Sequence, residues 1–149
     1  MENLFEGTGP ALSVDDLKNF ESQIGGALPA DFIDFYIKFN GGQPQLDWVP
    51  GSDEWEPTII QEFYPIAPGN NSSLMEDMYS HYEQFVSRHL ISRNTLPFAV
   101  DPGGNFYVLD LTTYEVKYLL TEGEFSSRTI SKSFGDFIAS LTDEDSVYD

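Results

Sequence analysis

The chain has 149 residues, no cysteine, and 25 acidic against 7 basic side chains, which gives a formal net charge of −18. The lack of cysteine excludes disulfides, thiolate metal sites and cysteine nucleophiles. The negative charge opposes direct binding to nucleic acid or to anionic lipid. With 40% apolar residues, including 12 Phe and 8 Tyr, the length suits one domain with a packed core.

Residues 1–12 are predicted to form a short lead-in, because Gly7, Gly9 and Pro10 interrupt any regular element. They lack the basic and apolar regions of a signal peptide. No run of about 18 apolar residues occurs in the chain, so no transmembrane helix is expected. These features predict a protein of the cytoplasm that is not inserted in a membrane.

Two amphipathic helices are predicted next. The first starts after Ser13, a good N-cap, and ends at Gly25–Gly26. The second starts at Pro29, which is favourable in a first turn, and ends near Asn40–Gly41–Gly42. Apolar residues recur at helical spacing in both and give each helix one apolar face: Val14, Leu17, Phe20 and Ile24, then Phe32, Phe35, Tyr36 and Phe39.

The middle of the chain is turn-rich and then regular again. Residues 43–57 hold several prolines and both tryptophans, and residues 58–64 are predicted to form a strand because they are rich in β-branched and aromatic residues. After a loop at 65–71, a long helix is predicted from about Leu74 to Leu90. Ser72 or Ser73 is its expected cap, and its predicted apolar side comprises Leu74, Met78, Tyr82, Phe85 and His89.

The second half predicts a hairpin, a further strand and a last helix. Leu96–Leu111 predicts two strands around the turn Asp101–Asn105, and Tyr114–Leu120 predicts a third strand before a turn at 122–124. Ser131 or Ser133 is expected to cap the last helix, whose apolar face holds Phe134, Phe137, Ile138 and Leu141. Residues 142–149 are predicted to be a frayed acidic tail, which leaves residues 13–141 as one α+β domain. Its sheet is predicted to be mainly antiparallel and flanked by about four helices.

Two of these segments, in this order and separation, resemble the SUKH superfamily: Leu28–Gly42 and Leu96–Leu111, followed by Ser133–Ile138. The resemblance spans Val14–Leu141. It implies a single protein-binding α+β domain, as in the Smi/Knr regulators of fungal cell-wall synthesis and in many bacterial immunity proteins, which neutralise toxins by direct binding. Many of those toxins are nucleases. Most of the matched positions are interpreted as fold determinants; the matched positions are Leu28, Pro29, Phe32, Tyr36, Asn40, Gly41, Gly42, Pro97, Phe98, Asp101, Gly103, Gly104, Asn105, Tyr107, Asp110, Phe134 and Phe137.

Signatures of catalysis or of metal binding do not emerge from the sequence. His81 and His89 are eight residues apart, about 80° around a helix, which places them poorly for one metal. No Gly-x-Ser-x-Gly elbow is present. The turn Asp101–Asn105 lacks the Gly-Lys-Ser/Thr ending of a phosphate-binding loop. We therefore predict that the chain is not an enzyme and binds no metal or cofactor.

The negative charge is concentrated in the first half, with a balance of −13 through Ser87 and −5 from Arg88 onward. Acidity alone accounts for solubility, but it would also attract a basic partner. The acidic and aromatic residues around the turn-rich segment are the predicted partner-binding surface: Asp47, Trp48, Asp53, Glu54, Trp55, Glu56 and Glu62. Whether the two tryptophans are interface anchors or cap the core stays open at this point.

The leading hypothesis is an immunity protein that neutralises a basic toxin, such as a nuclease, by covering its substrate site. The alternative is a regulatory scaffold module of the cell-wall-regulator type that has no toxin partner. In either role we expect no contact with nucleic acid or membrane. A monomer is expected, or a weak dimer through an uncovered edge strand.

Overall fold

The computed structural model describes residues 2–68 and 77–148. Within those ranges the α+β class is confirmed, with five helices rather than about four. In chain order the elements are β1 (Phe5–Glu6), α1 (Val14–Ile24), α2 (Ala30–Lys38), β2 (Gln43–Pro44), β3 (Trp48–Val49), β4 (Thr58–Ile59), β5 (Glu62–Phe63), α3 (Met78–Ser87), β6 (Thr95–Val100), β7 (Phe106–Asp110), β8 (Val116–Leu120), β9 (Ser126–Ser131), α4 (Phe134–Ser140) and α5 (Glu144–Val147).

The main sheet is an antiparallel meander in the order β5-β6-β7-β8-β9. Two short ladders, β1 with β2 and β3 with β4, lie outside it. Consecutive strands pair because the turns between them are short. Among the described residues, β9 pairs in the sheet with β8 alone, so it is an edge strand and one row of its backbone groups is not used by the described sheet.

An aromatic core joins α2 and α4 to the sheet. Six of its rings are at most 1% exposed: Phe32, Tyr36, Phe63, Phe98, Phe134 and Phe137. The rings of Phe32 and Phe134 meet at 4.8 Å between centroids in an edge-on arrangement, which aromatic pairs favour. The Asp31 carboxylate accepts a hydrogen bond of 2.9 Å from the Gly135 N–H, which fixes the start of α4 against α2.

The Asn-Gly-Gly sequence after α2 is a structural junction. Asn40 is 3% exposed, and its amide donates to the carbonyls of Pro10 and Ile66 at 2.8 and 2.9 Å and accepts from the Ile66 N–H at 2.7 Å. Gly41 has φ +74°, and a side-chain carbon there would lie 2.8 Å from the Phe63 carbonyl. The junction therefore ties the end of α2 to the chain around β5.

The β6–β7 hairpin is confirmed, and its polar residues hold its turn. Oδ1 of the Asp101 carboxylate accepts hydrogen bonds from the backbone N–H groups of Gly103 and Asn105, both at 2.9 Å. The Tyr118 hydroxyl donates to Oδ2 of the same carboxylate. Asn105 accepts from the Thr121 N–H at 3.0 Å. These hydrogen bonds account for Asp101 and Asn105 in the turn, so a bound ligand is not needed to explain them.

The helix α3 is shorter than predicted. It begins at Met78 with Asp77 as its cap, since the Asp77 carboxylate accepts from the Ser80 N–H at 2.8 Å. The predicted start and its serine caps, residues 72–74, lie outside the described residues. The placement of His89 on the apolar side was wrong, because the helix ends at Ser87 and His89 is exposed with φ 59°. Met78, Tyr82 and Val86 form the buried side.

Other boundaries also differ from the sequence predictions. The single strand predicted at 58–64 is two strands, because β4 pairs with β3 whereas β5 pairs with β6. β8 begins at Val116, since Tyr114 has φ 64° and belongs to the preceding turn. β9 was not predicted at all. In the lead-in, β1 pairs with β2, and the tail contains α5.

Candidate partner-binding groove

The loop 50–57 and the C-terminal segment together line a groove of about 540 Å³. We call it the acidic groove, and its lining residues are Pro50, Gly51, Ser52, Asp53, Glu54, Trp55, Glu56, Pro57, Val147 and Tyr148. Three carboxylates are among these residues and no basic side chain is. The groove is therefore an open, negatively charged depression with aromatic walls.

The loop is held at its base and within its turn. The β3–β4 ladder brings Val49 opposite Thr58, so the two ends of the loop are fixed side by side. The Ser52 N–H donates to the Trp55 carbonyl at 2.9 Å. A side chain at Gly51 would bring its Cβ to 2.5 Å from that same carbonyl, so the tight turn requires glycine there. The backbone of the loop is therefore held in one conformation, and its acidic side chains are exposed.

Trp55 is anchored to the sheet by a cation. The Arg128 guanidinium carbon lies 4.5 Å from the centroid of the Trp55 ring and 5.1 Å from that of Tyr118. Arg128 Nε is buried and has no hydrogen-bond partner among the described residues. The contacts with the two rings are therefore the main local interactions that offset the cost of burying this group. Burial, followed by the hydrogen bond to Asp101, raises the pKa of Tyr118 to about 12. Trp55 is half-buried, and the contact with Arg128 fixes the position of its ring.

Trp48 holds the C-terminal segment in place. Its backbone exchanges two hydrogen bonds of 3.0 Å with Thr142. Its ring packs edge-on against the ring of Tyr148, with 5.8 Å between centroids. Tyr148 is nevertheless 63% exposed. Trp48 therefore lies next to a wall of the acidic groove although it does not line the groove itself.

The structure brings together four of the seven predicted site residues. Asp53, Glu54, Trp55 and Glu56 line the acidic groove, and Trp48 contacts it through Tyr148. Asp47 and Glu62 are not among the lining residues. The Asp47 carbonyl accepts from the Ile60 N–H at 2.7 Å, and Glu62 lies in β5 opposite Val100.

Sequence reasoning missed Arg128 and Tyr148. Arg128 lies in the unpredicted strand β9, where the more buried Arg128 and Ile130 alternate with exposed neighbours. That alternation is one of burial, and the sequence does not show it, because Ile130 is the single apolar residue of the strand. Tyr148 lies in the segment that was predicted to be frayed, and no local pattern marks its contact with Trp48.

The remaining candidates for chemistry lie elsewhere. The His81 ring stacks on the Tyr64 ring at 3.9 Å between centroids, and His89 is an exposed residue beyond α3. Across residues 2–68 and 77–148, no group of three or more His, Cys, Asp or Glu side chains is arranged to hold a metal ion. In the same two ranges, the helices are too short or too polar to cross a membrane.

The fold and the groove define a small α+β domain: a five-stranded meander with helices packed on it and an acidic depression beside the sheet. The chain belongs to the SMI1 / KNR4 family (SUKH-1), whose model matches residues 11–140, and the resemblance noted in the sequence is thereby confirmed. Domains of this family are generally non-enzymatic immunity or regulatory domains.

A curated relative is similar to most of the chain. It is the SPbeta prophage-derived uncharacterized protein YokK of Bacillus subtilis (strain 168), which is 26% identical over 161 residues. The alignment covers 93% of this chain and 79% of the relative. The similarity is thus distributed over the domain rather than confined to one segment.

Proposed function

We propose that this chain is an immunity-type protein that binds a basic protein toxin and covers the surface with which the toxin engages its substrate. The observation that carries the proposal is the acidic groove, whose charged lining residues are all carboxylates. Membership in SUKH-1 supports it, because domains of that family generally serve immunity or regulation rather than catalysis.

Charge complementarity gives such a protein a fast encounter with its target. A net charge of −18 attracts a cationic protein over a distance set by the Debye length, about 8 Å at physiological salt. Electrostatic steering raises association rates by orders of magnitude above those of neutral pairs. Asp53, Glu54 and Glu56 are exposed, so their charges are available for this steering.

Affinity after the encounter needs an ordered apolar centre. Trp55 supplies one, because the Arg128 contact at 4.5 Å holds its ring before any partner arrives. A side chain that is already fixed loses less conformational entropy on binding. Tryptophan is also among the residues most enriched at binding hot spots.

A nuclease is the toxin class that fits this chemistry best. A nuclease must offer a basic surface to a phosphate backbone, and the carboxylates of the acidic groove can occupy such a surface in place of phosphates. In this role the chain acts in the cytoplasm, catalyses no reaction and needs no cofactor.

The family also supports a second candidate, a regulatory scaffold that binds a partner without neutralising a toxin. The SMI1 / KNR4 family model matches residues 11–140, and domains of that family include regulatory as well as immunity domains. A scaffold would bind its partner without restoring growth to cells that express a toxin, which separates the two roles.

The experiment is a protection assay in bacteria. The protein encoded next to this chain's gene is expressed from an inducible promoter, with and without the chain. We expect growth arrest without the chain and survival with it. Glu54→Lys/Glu56→Lys should weaken protection, whereas Glu122→Lys/Glu124→Lys, an exposed pair of the same spacing and charge outside the groove, should not. Arrest that the wild-type chain does not relieve would contradict the proposal.

A further inference from the structure

The C-terminal segment forms part of the acidic groove. Val147 and Tyr148 line the groove together with the loop 50–57. The segment is fixed at two points, by the backbone pairing of Thr142 with Trp48 and by the edge-on contact between the rings of Tyr148 and Trp48. A tyrosine that is 63% exposed and yet held by a second ring is poised to contact another molecule.

Both elements of the groove carry the same sign of charge. The loop contributes Asp53, Glu54 and Glu56, and α5 starts with Asp143, Glu144 and Asp145. Hydrogen bonds from Ser146 hold the pKa of the Asp143 carboxyl below its usual range, so this cap is ionised at neutral pH. The ionisable side chains of both elements are therefore all carboxylates, and such a surface attracts cations rather than anions.

The protein already contains an example of the chemistry that would bind there. Arg128 places its guanidinium over the Trp55 ring at 4.5 Å. Trp55 also lines the groove, together with a second aromatic side chain, Tyr148, and with carboxylates. Aromatic rings and carboxylates together suit a planar guanidinium better than an ammonium group, because it can stack and form paired hydrogen bonds.

The size and charge of the groove limit the kinds of molecule that can bind in it. A volume of about 540 Å³ lies within the ~300–1,000 Å³ typical of ligand pockets. Phosphates, nucleotides and other anions are disfavoured by the three lining carboxylates. A second copy of this chain would bring a net charge of −18 against the same sign. A cationic side chain of a different protein is the occupant that the charge favours.

Resting on the proposed function, we propose that the acidic groove binds an arginine side chain of the partner protein and that Tyr148, with α5, is part of the partner-binding surface. The arginine stem lies between the rings of Trp55 and Tyr148. Its guanidinium faces the carboxylates of Glu54 and Glu56. The C-terminal segment is therefore a specificity determinant rather than a dispensable tail.

The test uses the full chain and its own tryptophans. The sequence contains only two tryptophans, Trp48 and Trp55, and one lines the groove while the other contacts its wall. Their emission is followed while the peptide acetyl-Gly-Arg-Gly-amide is added. We expect a saturable change, a weaker one with the lysine peptide, and none with the citrulline peptide, which is neutral and nearly isosteric.

Substitutions in the loop 50–57 and in the C-terminal segment test whether the peptide binds between these two walls of the groove. Tyr148→Ala should weaken the peptide affinity about fivefold to tenfold, and Glu54→Lys/Glu56→Lys should abolish the change. Val14→Ala alters a residue on α1 that is 54% exposed and should leave the affinity unchanged. Circular dichroism of each variant checks that it is folded.

Several results would overturn the inference. These are an equal response to the citrulline peptide, equal binding of the lysine and arginine peptides, no saturable response, and full affinity in Tyr148→Ala. A change in emission on concentrating the protein alone would assign the groove to a second copy. Protection of cells without a peptide response would contradict the arginine site and leave the proposed immunity role intact. A peptide response without protection would contradict the immunity role and leave the arginine site in the groove intact.

Discussion

The contact between Arg128 and Trp55 makes a quantitative prediction. Arg128→Met keeps a long unbranched stem but removes the cation that lies 4.5 Å from the Trp55 ring. A cation–π contact contributes about 0.5–1 kcal/mol at exposed sites and about 2 kcal/mol when desolvated. Trp55 is half-buried and Arg128 Nε is buried, so we expect about 1 kcal/mol for this pair.

The measurement is a double-mutant cycle in urea unfolding with Arg128→Met, Trp55→Leu and the double variant. Arg128→Met also removes a buried N–H that has no hydrogen-bond partner among the described residues, which is a gain in stability unrelated to Trp55. That gain cancels in the cycle, so the coupling energy is the quantity that we predict. The matched control pairs Arg128→Met with Trp48→Leu, whose effects should be additive. A coupling below about 0.3 kcal/mol for Trp55, within the scatter of independent sites, would refute the anchoring role of Arg128.

Three further variants test the polar framework by urea unfolding. Asn40→Asp should lose about 3 kcal/mol of unfolding free energy, since it places a carboxylate oxygen against two carbonyl acceptors in a buried site; Asn19→Asp, an exposed control, should lose little. Tyr118→Phe should be about 2 kcal/mol less stable below pH 10, because it loses the hydrogen bond that the hydroxyl donates to the Asp101 carboxylate. Because burial and the hydrogen bond to the turn carboxylate raise the Tyr118 pKa to about 12, that difference should narrow between pH 10 and 12. Burial alone would raise the pKa of Asp110, but the hydrogen bonds from Lys117 and the following backbone lower it. Asp110→Asn should therefore cost about 1 kcal/mol at neutral pH, a difference that disappears as pH falls through the folded-state pKa.

Each of these variants has an outcome that contradicts its reasoning. Equal losses of unfolding free energy in Asn40→Asp and Asn19→Asp would mean that the junction after α2 does not depend on the buried Asn40 amide. A constant gap between wild type and Tyr118→Phe up to pH 12 would mean that the phenol ionises alike in both states. For Asp110→Asn, a gap that widens in acid would have the wrong sign for a carboxyl whose pKa is lowered by folding.

Elements with strong local signals were predicted well from the sequence. The first helix begins after Ser13, whose hydroxyl accepts from the Asp16 N–H at 3.1 Å, and ends at Gly25, which has φ 69°. The helix α4 is capped by Ser133 in the same way, since the Ser133 hydroxyl accepts from the Asp136 N–H. Caps and glycine turns act over three or four residues, so the sequence around them is sufficient to identify them.

Elements fixed by distant contacts were not predicted. β9 contains one apolar residue, Ile130, and is a strand because it pairs with β8. The strand predicted at 58–64 divides because its two halves pair with different sheets. Tertiary pairing overrides weak propensity in such segments.

The candidate site likewise contains residues that are close in sequence, which were predicted, and residues that only the fold brings together, which were not. The acidic loop around Trp55 was predicted, since acidic and aromatic residues are crowded within a few positions of the sequence. Arg128 and Tyr148 are 73 and 93 positions away from Trp55 along the chain, and only the fold brings them to it. Of the predicted surface, Asp53, Glu54, Trp55 and Glu56 line the acidic groove and Asp47 and Glu62 do not, and partner binding by all of these residues stays a prediction.

The central claim is that carboxylates of the acidic groove drive association with a basic partner. The most direct measurement is the association rate with the neighbouring-gene protein across a salt series, for the wild type and for Glu54→Lys/Glu56→Lys. The account predicts a rate that falls steeply with salt in the wild type and a rate at least about tenfold lower, with a shallower salt dependence, in the variant. Association rates that are the same for both proteins at every salt concentration would contradict it.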